Sequence, residues 1–295
     1  MKVVIFGMGF LGGKLFTSLS KEFEVLGATL NPKQSFIRKV DASNRKEVED
    51  FLISIKPDIV INTIALSSYF KCEQNSDLCN KLNYITAENI SEVCNKINSK
   101  LIFISSSYIF DGKKGNYTEN DIGKETNKYA TSKIRAEKKV LEIKGTIVVR
   151  LECLYGYDEV EKQIRVGTNT FKSKMHIGYP DILRRPIFVD DAAQIVLQLI
   201  KNNQSGIFNL AGELKITWLE FLNKLAALEN AEKQLKVVDN SDWILVPPHD
   251  SSLNIKKIIA LGLRPTKFNL TLEKIGLQIK YNSKGNPPKN GCVEN

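Results

Sequence analysis

The run Gly7-Met-Gly9-Phe-Leu-Gly12 constrains this chain more than any other feature. It follows directly on the apolar stretch 2–6 and opens the helical pattern of residues 11–21, so the order reads strand, glycine turn, helix. In that setting each glycine has a task. Gly7 permits the tight turn, Gly9 lets a pyrophosphate approach the backbone, and Gly12 lets helix and strand pack closely. The helix N-terminus adds free N–H groups and the positive end of its dipole. Gly7, Gly9, Phe10, Leu11 and Gly12 are therefore expected to bind a dinucleotide.

The rest of the first half repeats the alternation. Strand signals fall at 23–28, 58–63, 100–105 and 145–151, and helical spacing at 45–55, 78–98 and 127–143. Strands separated by helices predict an α/β fold, a Rossmann-type doubly wound parallel sheet covered on both faces. Residues 1–152 read as an NAD(P)-binding domain, to which 186–212 return through a helix at 190–201 and a strand at 206–210. Residues 153–185 and 213–281 read as a smaller C-terminal α/β substrate-binding domain, with helices at 218–228 and 254–261. Residues 282–295, rich in Lys, Asn, Gly and Pro, read as a flexible tail.

Composition narrows the classes of function. With 42% hydrophobic and 25% charged residues the chain is globular in type, and no apolar run reaches membrane-span length. The glycines break any signal-peptide core, so a cytoplasmic protein is expected. Lys and Arg outnumber Asp and Glu by 42 to 33, which suits a phosphate-bearing substrate. The lysines are scattered and not interleaved with aromatics, which argues against nucleic acid. Five cysteines without a CxxC pair, and only two histidines, fit reduced thiols and no metal centre.

Tyr129-Ala-Thr-Ser-Lys133 lies in a helical segment, and the i,i+4 spacing sets phenol and ammonium on one face. A nearby ammonium favours the phenolate, so Lys133 is expected to acidify Tyr129 and fit it to protonate a carbonyl oxygen while hydride reaches carbon. Ser105-Ser106-Ser107 end a strand, at the sheet edge where ligands bind in open parallel folds. A serine there can stabilise the charge developing on a carbonyl oxygen. The strand ending Ala28-Thr29-Leu30-Asn31 lacks the acid that holds a ribose hydroxyl, and Lys33 and Arg38 follow, so NADP(H) is favoured over NAD(H). These two cations read equally well as solvated surface charges.

Together these residues resemble an extended short-chain dehydrogenase/reductase, of the dTDP-4-dehydrorhamnose reductase-like family. The resemblance runs to about residue 280 and takes in Lys39-Val-Asp41, the segment 56–65, Lys71-Cys-Glu73, Asn83, the segment 105–112, Arg150, Leu154-Tyr-Gly156, Arg185-Pro186, residues 189–192 and 206–212, and the late stretch 248–254. It implies that Asp41 faces the adenine, that Thr63, Ile64, Ala65 and Asn83 line the cofactor cleft, and that Lys133 holds the ribose. It implies Tyr129 as general acid and Ser106 as the group polarising the carbonyl. Ser106, Ser107, Tyr108, Cys153 and Arg185 would border the substrate. The implied reaction is reduction of the C4 ketone of a nucleotide-linked 4-keto-6-deoxysugar by NAD(P)H.

The chain departs from the family pattern at four places. Its glycine turn is one residue shorter, Ser106 replaces a frequent threonine, Ser107 replaces an aspartate, and Cys153 stands where tryptophan is frequent. Two other readings remain open on sequence: an epimerase or dehydratase that recycles its cofactor, and a non-catalytic subunit that binds a nicotinamide nucleotide and modulates a partner. Family precedent adds a homodimer. Asp190-Asp191 read as acids complementing a helix N-terminus, not a metal pair. Trp218 and Phe221 read as core, and Trp243 either caps the cleft or packs a loop.

Overall fold

Strand β1 (Lys2–Phe6) is buried almost throughout, which requires cover on both faces of whatever sheet it joins. In the computed structural model, which describes residues 1–167, 169–172, 175–237 and 247–283, that cover is complete. The chain runs from β1 through α1 (Phe10–Leu19), β2 (Glu24–Thr29), the short edge strand β3 (Arg38–Lys39) and α2 (Arg45–Ile55) to β4 (Ile59–Asn62). It continues through α3 (Tyr69–Gln74), α4 (Ser76–Asn80), a π turn (Lys81–Ile85), α5 (Thr86–Ile97), β5 (Lys100–Ser106), α6 (Lys128–Val140) and β6 (Ile147–Leu151).

The second half begins with β7 (Leu154–Asp158), β8 (Gln163–Val166), β9 (Asn169–Thr170), β10 (His176–Gly178), β11 (Leu183–Arg184) and β12 (Ile187–Phe188). After these come α7 (Val189–Lys201), β13 (Gly206–Leu210), β14 (Ile216–Thr217), α8 (Trp218–Glu229), β15 (Leu235–Val237), α9 (Lys256–Ala260) and α10 (Phe268–Ser283).

Seven strands form one parallel sheet in the order β13-β6-β5-β4-β1-β2-β3. The strand order reverses beside β1, so the carboxyl ends of β1 and β4 flank a crevice, where open α/β sheets bind ligands. One face packs on α1 and α7 through Val3, Ile5, Leu15, Ile61, Val196 and their neighbours. The other packs on α2, α5 and α6 through Val4, Phe6, Val48, Ile90, Phe103 and Val140. Leu253, Ile255 and Ile258 join the first of these cores, beside β13. A third core gathers Tyr155, Phe171, Phe188, Phe221 and Ile275 around β7, α8 and α10.

Several elements differ from the sequence expectation. The helix expected over 78–98 starts at Ser76 and is interrupted by the π turn, whose extra residue turns Asn83 fully inward. The helix expected over 127–143 ends at Val140. Residues 153–185 form strands of only two to five residues, too short to show alternation. Asn282 and Ser283, expected in the tail, end α10. Residues 284–295 and Trp243 lie outside the described residues. Among the described residues, no helix is long and apolar enough to cross a membrane, and no cluster of His, Cys, Asp and Glu could hold a metal. Asp190 pairs with Lys14 and Asp191 accepts from Thr266, both in the first turn of α7.

Candidate active site

The glycine turn has the geometry its sequence predicts. Gly7 adopts φ +90° and its carbonyl accepts from the Thr63 hydroxyl at 2.7 Å, so the β1 and β4 loops are tied together. A Cβ on Gly12 would strike the Gly7 carbonyl oxygen, so helix and turn leave no room for a side chain. Gly9 differs: a Cβ there would meet no protein atom within 4 Å. Gly9 is the N-cap of α1 and no side chain caps that helix. The turn thus combines free N–H groups with open space above Gly9, which fits the pyrophosphate of a nicotinamide dinucleotide.

The loop after β4 is shaped by two asparagines. Asn62 accepts from the Ile64 N–H at 3.0 Å. Asn83 accepts from the Leu66 N–H at 2.7 Å and donates to the Ser132 hydroxyl at 3.0 Å. Thr63, Ile64 and Ala65 are thereby held at the crevice. Asp41 lies beyond β3, where the Ser43 hydroxyl at 2.6 Å holds its carboxyl below the usual range. A cavity of about 720 Å³ runs along α1 and is lined by Gly9, Phe10, Thr29, Asn31 and Lys33 among others. It adjoins the turn and the end of β2, and neither Tyr129 nor Ser106 lines it.

Helix α6 carries Tyr129 and Lys133, and its start is fixed by two acceptors. Asn127 accepts from the Ala130 N–H at 2.8 Å, and Glu73 on α3 accepts from the Lys128 N–H at 2.6 Å. Arg150 on β6 pairs with Glu137 on α6 at 2.9 Å, both buried, and donates to the carbonyls of Glu119 and Asp121. Tyr129 is buried beside Cys72 and Cys79, with Tyr69 and Tyr108 packed against the group. Ser106 ends β5 against α6, the helix that carries Tyr129, and its hydroxyl acts on the Tyr129 phenol.

One expected relationship is corrected. Lys133 does not acidify Tyr129 here. Its ammonium donates to the Ile104 carbonyl at 2.6 Å and stands 4.0 Å over the Phe103 ring. Burial pulls it down to about 7, with Glu137 opposing. Burial pushes the Tyr129 phenol above its usual range, and the Ser106 hydrogen bond only partly offsets this. Spacing placed the two residues a turn apart but did not reveal the carbonyl that captures the ammonium.

The serines divide their work. Ser105 Oγ is buried without a partner among the described residues, Ser106 Oγ accepts from the Tyr108 N–H at 3.1 Å, and Ser107 Oγ donates to Glu152 at 2.9 Å. Tyr108 accepts from Arg184 at 3.4 Å. Cys153 is half-buried against the third core, and burial pushes its thiol up to about 12. Arg185 Nε is buried with no hydrogen-bond partner among the described residues. Sequence reasoning passed over Glu152 and Arg184. The available signal was an acid directly after a strand, at the edge where ligands bind.

Comparison with known proteins places this arrangement. The chain is 26% identical to a dTDP-4-dehydrorhamnose reductase of Aggregatibacter actinomycetemcomitans, over 90% of this chain and 95% of that protein. It is also 26% identical to methionine adenosyltransferase 2 subunit beta of Rattus norvegicus, over 89% of this chain and 84% of the relative. Among solved structures, a hypothetical dTDP-4-dehydrorhamnose reductase from Sulfolobus tokodaii superposes with a TM-score of 0.78 at 27% identity, covering 91% of this chain and 98% of that one. The family described as RmlD substrate binding domain matches residues 1–279, and the chain belongs to that family, within the extended short-chain dehydrogenases/reductases.

Proposed function

We propose that this protein reduces the C4 ketone of a nucleotide-activated 4-keto-6-deoxysugar, using a nicotinamide dinucleotide. The observation that carries this reading is the packing of the end of β5, with Ser106, against helix α6, with Tyr129, in the same sheet whose open glycine turn follows β1. When bound, the reduced nicotinamide supplies hydride. Gly7, Gly9, Phe10, Leu11 and Gly12 would hold its pyrophosphate, Thr63, Ile64, Ala65 and Asn83 would line its cleft, and Asp41 would face the adenine. The end of β2 carries no acid, and Lys33 lines the adjoining cavity, which supports NADP(H) over NAD(H).

Tyr129 is the proton donor in this reading. A phenol is protonated at neutral pH, so the acid is loaded before the ketone arrives. Ser106 hydrogen-bonds the carbonyl oxygen and stabilises the charge that develops there. Lys133, whose ammonium donates to the Ile104 carbonyl, would hold the ribose. Ser107, Tyr108, Cys153 and Arg185 border the sugar nucleotide.

The test is a panel of dTDP-, UDP-, GDP- and CDP-linked 4-keto-6-deoxysugars with NADPH and NADH, with products identified by NMR. Loss of reduced-nicotinamide absorbance with a 4-hydroxy product supports the reading. Turnover without that loss indicates an epimerase or dehydratase. The similarity to methionine adenosyltransferase 2 subunit beta supports a second reading, a nucleotide-binding regulatory subunit. Co-purification of a stoichiometric partner, with no activity on any ketosugar, would favour it.

A further inference from the structure

Glu152 follows Leu151, which pairs in register with Ser106, so its carboxyl sits at the ligand edge of the sheet. The residue is 2% exposed. Oε1 accepts from the Ser107 hydroxyl at 2.9 Å and from the Cys153 N–H at 3.4 Å. Oε2 is equally buried, yet no described residue bonds it. Arg184, itself 1% exposed, acts on this carboxyl electrostatically, but its described hydrogen bonds go to the carbonyls of Leu183 and His249 and to the Tyr108 hydroxyl.

A buried carboxylate oxygen without a donor carries its full desolvation penalty. If Glu152 served only to hold Ser107, a neutral acceptor would do that at less cost. The free oxygen is matched by a ligand that brings its own donor. Its place identifies the donor. On the ketosugar reading Ser106 and Tyr129 act on the carbonyl, and the next residue, Ser107, donates to Glu152 at 2.9 Å. On that reading the carboxylate belongs to the neighbourhood of the reacting carbon and not to the carbon itself.

We propose that Glu152 is a specificity residue, whose Oε2 accepts a hydrogen bond from the sugar hydroxyl adjacent to the ketone. Ser107 orients the carboxylate and Arg184 supplies the opposite charge. This inference rests on the ketosugar reading.

Burial pushes the Glu152 carboxyl up to about 7 against the pull of Arg184 and Ser107. The groups facing it are Ser107 and Tyr108 from the turn after β5, Cys153, Arg184 and the charge of Asp250. Only the ionised form is a pure acceptor, so binding of a hydroxyl donor weakens as pH falls through neutrality.

The test compares wild type, Glu152→Gln and Ser107→Ala on the ketosugar that wild type reduces and on its analogue lacking the hydroxyl beside the ketone. The proposal expects Glu152→Gln to raise KM for the full sugar about tenfold or more, with kcat within about threefold and dinucleotide affinity unchanged. It expects KM for the deoxy analogue to be the same in both enzymes, and Ser107→Ala to show the same selectivity in weaker form. Wild-type KM for the full sugar should rise from about pH 8 to about pH 6, and this slope should vanish in Glu152→Gln. Equal KM increases for both sugars would overturn the proposal in favour of a packing role, as would an unchanged KM for the full sugar. Failure of wild type to reduce any ketosugar would overturn the reductase reading, and this inference with it.

Discussion

Asn83 donates to the Ser132 hydroxyl at 3.0 Å, and this bond joins the π turn to the helix that carries Tyr129 and Lys133. The same side chain accepts from Leu66, so one buried amide holds the loop after β4 and helix α6 in a common frame. Asn83→Ala removes these bonds and leaves the Leu66 N–H without its acceptor. We expect a loss of about 1–3 kcal/mol in stability together with weaker dinucleotide binding. Denaturant melts and fluorescence titration would check both. Loss of stability alone would mean that Asn83 does not shape the cleft.

The glycine turn offers a paired test. At Gly12 a methyl group collides with the Gly7 carbonyl, whereas at Gly9 it enters open space. Gly12→Ala should destabilise the protein and lower its melting temperature. Gly9→Ala should melt close to wild type but bind the dinucleotide at least about tenfold more weakly, because its methyl occupies the pyrophosphate position. Unchanged affinity in Gly9→Ala would remove the phosphate from that turn.

The buried Arg150–Glu137 pair ties β6 to α6. Removing one charge strands the other, which typically costs about 3–5 kcal/mol. Arg150→Met should therefore cost several kcal/mol, and adding Glu137→Leu should restore much of it. The carbonyls of Glu119 and Asp121 lose their donor in either variant, so recovery should be partial. A double-mutant cycle by urea denaturation would measure the coupling, and additive losses would contradict it.

Lys133 gives the fold a pH signature of definite sign. Its folded pKa is about 7, below the ordinary 10.5. Below about 7 both states carry the proton and the folded state bears the cost of a buried charge. Between there and 10.5 only the unfolded state holds the proton, so this group makes stability rise with pH. Lys133→Met removes the titration. Relative to wild type it should be at its most favourable in acid and lose ground steadily as pH rises through that window. Thermal melts of both proteins across the window would show this, and a constant difference would refute it.

The sheet was legible because its strands are apolar and its helices periodic, as in residues 2–6 and 45–55. The glycine turn was legible because its three positions face three different steric demands. The second half was opaque because strands such as Leu183–Arg184 are set by partners distant in sequence, not by their own pattern. Tyr129 is singled out by its spacing from Lys133 and the serines 105–107 by strand position, with Ser106 chosen among them only through the family resemblance. The capture of Lys133 by the Ile104 carbonyl could not be read in this way, since a backbone acceptor leaves no trace in side-chain identity. Glu152 could be noticed as an acid at the end of a strand, but the burial of its Oε2 with no hydrogen-bond partner among the described residues could not be read from sequence.

The central claim is that Tyr129 protonates a sugar ketone as hydride reaches its carbon. The most direct measurement uses NADPH deuterated at the transferable position, with the ketosugar substrate, wild type and Tyr129→Phe, read by NMR and by dinucleotide titration. The account predicts deuterium on C4 of the wild-type product. It also predicts a rate reduced by about 10²–10⁴ in Tyr129→Phe, with dinucleotide affinity within about threefold of wild type. Deuterium absent from the sugar, or a Tyr129→Phe enzyme turning over at the wild-type rate, would contradict it.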